Sequence, residues 1–401
     1  MMLSKNAIKY FKEVLMNIKK IKNNKKIIIT VIIACILIPV IVFCSQIVYL
    51  LYFRSTPTIV NDSNTIVDNK QSGLPSPEES GIDNIVLFGV DNRTPTDHGR
   101  TDSIIIATID KNMKVIKLTS IMRDLYVKIG DTKSLGRING SYATGGPALA
   151  LKTLNNNFGL NVKYYAVIDF NAFQDLVDEL GGIDVEVKDY EVKEINYYIK
   201  SVNWSNPIFI KGAGFQHLNG QQTLSFARIR KVGNGDYERT ERQRLVLKSL
   251  SEKSKQTNIV KFPQLLTTLV SYVQTNVPLS KIFSLGIIAY RFNNNIESIR
   301  IPVDGYYEGQ NVGGASVLVP DISANALFLK DFIYNLGATT SSKPKPKIPN
   351  YRTPNIPLKD GEIPITPKVT PKVTPSITPG DKPGATPAGT SPTPTIKPVT
   401  P

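Results

Sequence analysis

The side chains able to do chemistry in this chain are of few kinds. Its 401 residues include two histidines, His98 and His217, and two cysteines, Cys35 and Cys44, both inside one apolar run. The rest of the chain therefore has no thiol nucleophile, no cysteine metal site and no histidine-spaced zinc motif. What remains is aspartate and arginine in two clusters. The first comprises Asp91, Arg93, Arg100 and Asp102, followed by Arg123 and Asp124. The second, 226–244, reads FARIRKVGNGDYERTERQR, with six basic residues in 19. Arg228 and Arg230 cannot share a helix face, but both can aim inward if the helix ends near Lys231. Arg239, Arg242 and Gln243 stand at i, i+3 and i+4 and do share one. Planar guanidinia bind phosphate bidentately, and Mg²⁺ favours carboxylates completed by substrate phosphates. This donor set suits phosphate or pyrophosphate better than a carbonyl. The competing reading of the first cluster is a solvated, self-paired group on a sheet rim.

The elements that must position these residues follow from the apolar pattern. Runs rich in β-branched residues predict strands over 84–90, 103–109, 114–121 and 163–169. Helices are predicted over 147–158, 170–180, 221–230 and 238–256, then over 261–275, 279–292 and 320–336, with a strand near 296–301. Interleaved strands and helices argue an α/β fold with a mixed central β-sheet sandwiched by helices. The short turn at 110–113 forces antiparallel pairing. Asp91 ends one strand and Asp102 opens the next; if that pair too is antiparallel, both lie at one edge, to which the third strand returns Arg123 and Asp124.

Charge is unevenly spread. The net +15 divides into +7 in residues 1–26, +6 in 338–401 and only +2 between them. A nearly neutral body is no nucleic-acid binder, which would carry a basic face on its folded part. Residues 27–53 carry no charge over 27 positions, enough to span a hydrocarbon core that needs about 20 residues. The run is too long for a signal-peptide core and ends in bulky Leu-Tyr-Phe, and Phe43 stands where a lipidated Cys44 would need a small neighbour. The expectation is a single uncleaved anchor, with a lysine-rich cytoplasmic segment (1–26) before it and everything after Arg54 outside. A polar stalk (54–82) follows, then the folded domain (83–337). The last segment (338–401) holds 16 of 27 prolines and 12 threonines, a composition that predicts a disordered or extended Pro/Thr-rich spacer, or a basic arm toward an anionic wall. Two further stripes, 265–273 and 283–290, are candidates for an apolar channel lining or for ordinary core. His217 reads as a capping or packing residue, Asp169 and Asp184 as structural, and Gly181–Gly182 as a helix stop.

Seven blocks occur in one order: NIVLFGVDNR, GRTDSIIIATID, SIMRDLYV, GRINGSYATGG, DLVDELGGIDVEV, HLNGQQTLSFARIR and GDYERTERQR. In these the chain resembles the LytR-CpsA-Psr family of membrane-anchored envelope proteins of Gram-positive bacteria. The resemblance implies transfer of a polyprenyl-pyrophosphate-linked glycopolymer, such as wall teichoic acid or capsule, onto peptidoglycan, with Mg²⁺ or Mn²⁺ as cofactor. It implies Asp91 and Asp102 as the metal aspartates, and Arg93, Arg100, Arg123, Arg228, Arg230, Arg239 and Gln243 as pyrophosphate binders. Asp124, or an aspartate of the pair, is a candidate base. Met122 in place of Pro, Arg137 in place of Lys, and Gly140–Ser141 in place of an Ala pair depart from the family pattern. The rival functions are a polyprenyl-pyrophosphate hydrolase and a non-enzymatic membrane-bound regulator; 26 residues before the span are too few for a helix-turn-helix domain. A structural wall tether would leave the arginines unexplained.

The topology is checkable directly. Protease added to intact protoplasts should remove the body and leave a small membrane stub; a protected body would overturn the orientation.

Overall fold

The computed structural model describes residues 81–91, 99–202, 205–293, 295–337 and 345–351. The expected anchor, the stalk up to residue 80, Arg93 and most of the Pro/Thr-rich segment lie outside these, while Ile82, placed at the stalk's end, opens the first strand. Among the described residues no helix is long and apolar enough to cross a membrane.

Twelve strands and eight helices follow one another among the described residues. Strands β1 (Ile82–Val90), β2 (Thr101–Asp110), β3 (Val115–Ile121), β4 (Tyr126–Lys128) and β5 (Leu135–Arg137) lead into helix α1 (Ile138–Phe158). Next come β6 (Tyr164–Asp169), α2 (Phe170–Glu179), β7 (Ile183–Val187), α3 (Asp189–Val202), β8 (Gly214–Leu218), α4 (Gly220–Arg228) and α5 (Asp236–Ser254). The chain continues through α6 (Phe262–Val270), β9 (Gln274–Thr275), α7 (Leu279–Tyr290), β10 (Ile296–Ile301), the hairpin β11 (Tyr307–Val312) and β12 (Ala315–Pro320), and α8 (Ile322–Tyr334).

The central sheet has the order β10-β3-β2-β1-β6-β9. β1, β2 and β3 pair antiparallel, while β6 lies parallel to β1 and β10 parallel to β3, so the sheet is mixed as expected. Period-two alternation divides its faces. Val86, Phe88, Val90, Ile104, Ile106, Tyr165 and Val167 turn to one side and pack with Leu151, Leu154 and Phe158 of α1 and Leu329 and Ile333 of α8. α2, α4 and α5 cover the other face. They form a second core with β7, β8 and α3, through Val177, Val185, Ile195, Phe226 and Val246.

Several predicted elements change on folding. The helix over 261–275 stops at Val270, and Gln274–Thr275 joins the sheet edge against β6, where the Thr275 hydroxyl bonds the Tyr165 carbonyl. α1 starts at Ile138 rather than 147 and is interrupted at Gly145–Gly146 ahead of Pro147, which cannot donate within a helix. His217 caps nothing. It sits in β8 opposite Asp184 and pairs with that carboxylate at 2.8 Å, while Asn219 and Gln222 form the capping box of α4. Asp169 caps α2 by accepting from the Ala172 amide. Residues 345–351, inside the segment expected to be a disordered tail, are instead seated on the domain: the Lys347 amide donates to Asp321 and the Tyr351 amide to Gln310.

One buried ion pair ties the β2–β3 hairpin to the end of α8. Lys117 and Asp110, each 1% exposed, stand 3.3 Å apart. Lys117 Nζ also donates to the Ile333 carbonyl and to Asn335 Oδ1, and Asn335 Nδ2 donates back to Asp110. Burial alone would raise the Asp110 carboxyl, but the Met113 amide, Lys117 and Asn335 outweigh it and hold its pKa below the ordinary 3.8. Stability from this group is present above the unfolded value and lost as pH falls through the lower folded one. Asp110→Asn should cost about 3–5 kcal/mol at neutral pH, because it leaves Lys117 buried without its counter-charge. Thermal melts should also show the variant losing less stability than the parent as pH falls below the ordinary carboxylate value of 3.8.

Candidate functional site

The site forms where β1 ends and β2 begins. Val90 pairs with Thr101 but Gly89 with Ser103, so Asp102 is the extra residue of a β-bulge. A bulge breaks strict alternation and re-aims one side chain. Asp102 thereby reaches Arg123, delivered by the return of β3, and accepts from its Nη1 at 2.5 Å. Arg123 Nε faces two more carboxylates, Asp236 at 3.4 Å and Asp124 at 3.6 Å. Burial works against this guanidinium's charge, yet Asp236, Asp102 and Asp124 together hold it more firmly protonated than usual. Burial pushes the Asp124 carboxyl up; among its neighbours Arg123, Arg137 and Arg239 oppose that and Asp236 adds to it, and the net shift is upward.

The second cluster closes over this edge. α4 ends at Arg228, so Arg228 and Arg230 leave the helix as the sequence allowed. Arg228 stacks over the Phe170 ring at 4.4 Å and the Tyr198 ring at 5.4 Å, with Asp91 4.0 Å from its Nη2. Arg239 is almost wholly buried, 3.4 Å from Asp236, with its Nε lacking any hydrogen-bond partner. Burial, with Arg123 and Arg230 nearby, lowers its pKa. Arg230 is exposed at the rim, and Gln243, one turn beyond Arg239, lines the cavity below. Arg100 stands exposed outside the ion-pair network. Arg242 also turns elsewhere: it binds Glu191, Glu238 and the Ile229 carbonyl and locks α5 to α3 and α4.

Beneath the charged rim lies a cavity of about 260 Å³. Its floor is the sheet face opposite the main core, Leu87, Gly89, Ser103, Ile105, Ala166 and Ile168, and its roof is Phe173, Leu176, Leu224, Ala227, Val246 and Leu250. Strand register places Asp102 and Asp169 at one edge and Leu87, Ile105 and Ala166 farther in, so polarity falls with depth. Of the two stripes considered for this lining, 265–273 contributes Val273 and 283–290 contributes none.

Two residues at the rim had no role in the sequence reading. Asp236, the first residue of α5, bridges Arg123 and Arg239; its only sequence signal is an acid three positions before an arginine at a helix start. Arg137, noted only as a departure from Lys, faces Asp124 with its Nε at 3.6 Å and donates to the Ser316 carbonyl. Met122 is buried under Arg300 and does not disturb the delivery of Arg123.

For a divalent cation, the donor set is hard carboxylate oxygen at neighbouring strand ends, Asp91 and Asp102. Among the described residues no three His, Cys, Asp or Glu side chains form a closed cage. Two carboxylates are a donor set that suits Mg²⁺, which rarely uses an all-protein shell, although here Asp102 faces Arg123 and Asp91 faces Arg228.

The site is thus an arginine-rich rim over an apolar cavity, on a mixed α/β sandwich. The sequence pattern of the LytR_cpsA_psr family matches residues 49–330, and the chain belongs to this family. It is 34% identical over 262 residues to Regulatory protein MsrR of Staphylococcus aureus (strain COL), covering 64% of this chain and 76% of that one. It is 33% identical to the polyisoprenyl-teichoic acid–peptidoglycan teichoic acid transferase TagV of Bacillus subtilis (strain 168), covering 63% of this chain and 62% of the relative. Among solved structures, TagT bound to LI-WTA superposes with a TM-score of 0.53 at 25% identity, covering 65% of this chain and 93% of that one. The crystal structure of B. subtilis TagV gives 0.52 at 28% identity, covering 63% and 97%.

Head and tail recognition should separate by mutation. Arg123→Ala removes a charge-assisted partner and should weaken both inorganic pyrophosphate and polyprenyl pyrophosphate, by about 30- to 150-fold for a loss of about 2–3 kcal/mol. Ala166→Phe fills the cavity floor and should weaken only the polyprenyl ligand in calorimetric titrations.

Proposed function

We propose that this protein transfers a polyprenyl-pyrophosphate-linked anionic glycopolymer onto a peptidoglycan hydroxyl. The observation that carries the reading is the fall from charge to apolarity across one cavity, from Asp102, Arg228 and Gln243 to Leu87, Ala166 and Val246. A polyprenyl chain fits the apolar part, and a pyrophosphate fits the arginine rim. The similarity to TagV, a teichoic acid transferase, and to TagT bound to LI-WTA supports the same chemistry.

In this reading Arg123, Arg228, Arg230 and Arg239 hold the pyrophosphate oxygens, with Arg93 and Arg100 on the loop before β2 as further cationic partners. Gln243 hydrogen-bonds at the junction of head and tail. Asp91 and Asp102 would hold Mg²⁺ or Mn²⁺, which when bound supplies Lewis-acid neutralisation of the phosphates. The acceptor hydroxyl attacks the polymer-side phosphorus. Its oxygen forms the new P–O bond, the bridging P–O bond breaks, and polyprenyl phosphate leaves with the electron pair. Asp124, whose pKa is raised by burial, takes the hydroxyl proton. Positioning and electrostatics dominate such transfers, which is why a site of arginines and aspartates suffices. The apolar run 27–53 would hold this body at the outer membrane face, beside both substrates.

The test is ligation of a polyprenyl-pyrophosphate glycopolymer to peptidoglycan fragments in the presence of Mg²⁺. Polymer–peptidoglycan product with release of polyprenyl phosphate is expected. Free polymer phosphate would support the hydrolase instead, and no turnover with retained lipid binding would support a regulator. Asp91→Ala and Asp102→Ala should each abolish transfer by about the same factor, with the double variant little worse, because groups acting as a unit are non-additive.

A further inference from the structure

The segment following the domain is rich in proline, and its first described part is not idle. Proline lacks an amide hydrogen, so in 345–351 the available donors are few and their placement is informative. The Lys347 amide donates to Asp321 Oδ2 at 2.6 Å, while the other oxygen of that carboxylate caps α8 through the Ala324 amide. The Tyr351 amide donates to Gln310 Oε1 at 2.7 Å, and Gln310 Nε2 donates to the Pro349 carbonyl at 2.8 Å. Gln310 is 4% exposed; its side-chain oxygen takes its partner from the segment, while its nitrogen is shared between the Pro349 carbonyl and Glu308 of its own strand at 3.1 Å. The Tyr351 ring packs edge-on against Tyr126, with centroids 5.5 Å apart.

What these contacts hold is the platform behind the candidate base. Gln310 of β11 pairs in register with Val317 of β12. The residues flanking Val317 both reach the site. The Leu318 amide donates to the Asp124 carbonyl, and the Ser316 carbonyl accepts from Arg137, whose Nε faces the Asp124 carboxylate. Tyr126, under the Tyr351 ring, is two residues past Asp124 and pairs with Arg137 across β4 and β5. Residues 345–351 therefore grip the segment carrying Asp124 from two sides, through the β11–β12 hairpin and through Tyr126.

We infer that residues 345–351 form a positioning strap, in which Gln310 and Tyr351 fix the Asp124–Arg137 pair for proton transfer from the acceptor hydroxyl. The strap's effect on activity rests on the transferase reading above; its structural effect does not. It divides the Pro/Thr-rich segment at Tyr351, with residues 345–351 acting by position on the domain rather than by contact with substrate.

The test compares the full chain with chains stopped after Gly337 and after Tyr351, together with Gln310→Ala, Tyr351→Ala and Tyr351→Phe in the full chain. The readouts are amide hydrogen exchange at 124–128 and 307–320, binding of polyprenyl pyrophosphate, and kcat for transfer. Stopping after Tyr351 should change none of them. Stopping after Gly337, Gln310→Ala and Tyr351→Ala should speed exchange in both regions and lower kcat about 10- to 100-fold, the scale of a small misplacement of a catalytic group, with lipid affinity unchanged. Tyr351→Phe, which keeps ring and amide, should behave as the parent. Unchanged exchange in the chain stopped after Gly337, or equal effects of the two truncations, would overturn the strap. Should even the parent fail to transfer, the transferase reading falls, and the exchange difference alone decides the strap.

Discussion

Arg123 is the residue on which the geometry of the site depends. Its guanidinium, fixed at the end of β3, touches Asp102 from the β2 bulge, Asp124 from its own strand exit and Asp236 from the start of α5. Three separate pieces of chain are thus drawn to one cation. Three carboxylates around one guanidinium, with Arg137 and Arg239 behind them, make a cluster whose charges largely cancel without a ligand. An anion entering this cluster would compete with the aspartates for the arginines. A cation on Asp102 would shift that competition by engaging the carboxylate that now holds Arg123 Nη1. The Arg123–Asp102 pair is partly open to solvent, in contrast to Lys117–Asp110, which is closed off from solvent and holds two elements together.

The sheet is used differently on its two faces. One face is filled by α1 and α8 to the density expected of a core. On the other, α2, α4 and α5 arch over the strands, and their own apolar contacts go mainly to β7, β8 and α3. This second core supports the roof without resting it on the floor, and the cavity is the space left between. The roof helices are held close together. A Cβ on Gly220 would meet the Gln174 carbonyl oxygen at 2.2 Å, so only glycine lets α4 start this near α2. Gln243 and Arg239 come to the rim because α5 lies along this roof with one face toward the strands.

Much of the fold could be read from the sequence, because its strongest elements carry their own signals. β-Branched runs marked β1, β2, β3, β6 and β10 to within two residues, and the short 110–113 turn determined that β2 and β3 run antiparallel. The elements that were not foreseen include β4, β5, β7, β8, β11, β12 and α3; they are short or mixed in composition, and β7 and β8 pair across about 30 residues of intervening chain. Gln274–Thr275 is the clearest case: an apolar helical pattern ran through it, but the open edge of β6 offered backbone hydrogen bonds that the helix could not match.

The sequence by itself determined the chemistry available: aspartate and arginine without cysteine or useful histidine, two clusters of them, and strands short enough in their turns to bring Asp91, Asp102, Arg123 and Asp124 to one edge. Tertiary structure decided which members act together. It put Asp236 and Arg137 into the cluster, sent Arg242 to a structural pair with Glu191, and left Arg100 outside the network. It also decided that an apolar cavity rather than packed core lies beneath the rim, and that residues 345–351 belong to the domain. The reason is physical. Residue type and local spacing fix what a side chain can do and which face of its own element it occupies. Whether that face meets another charge, a ring or empty space depends on long-range packing, which no local pattern records.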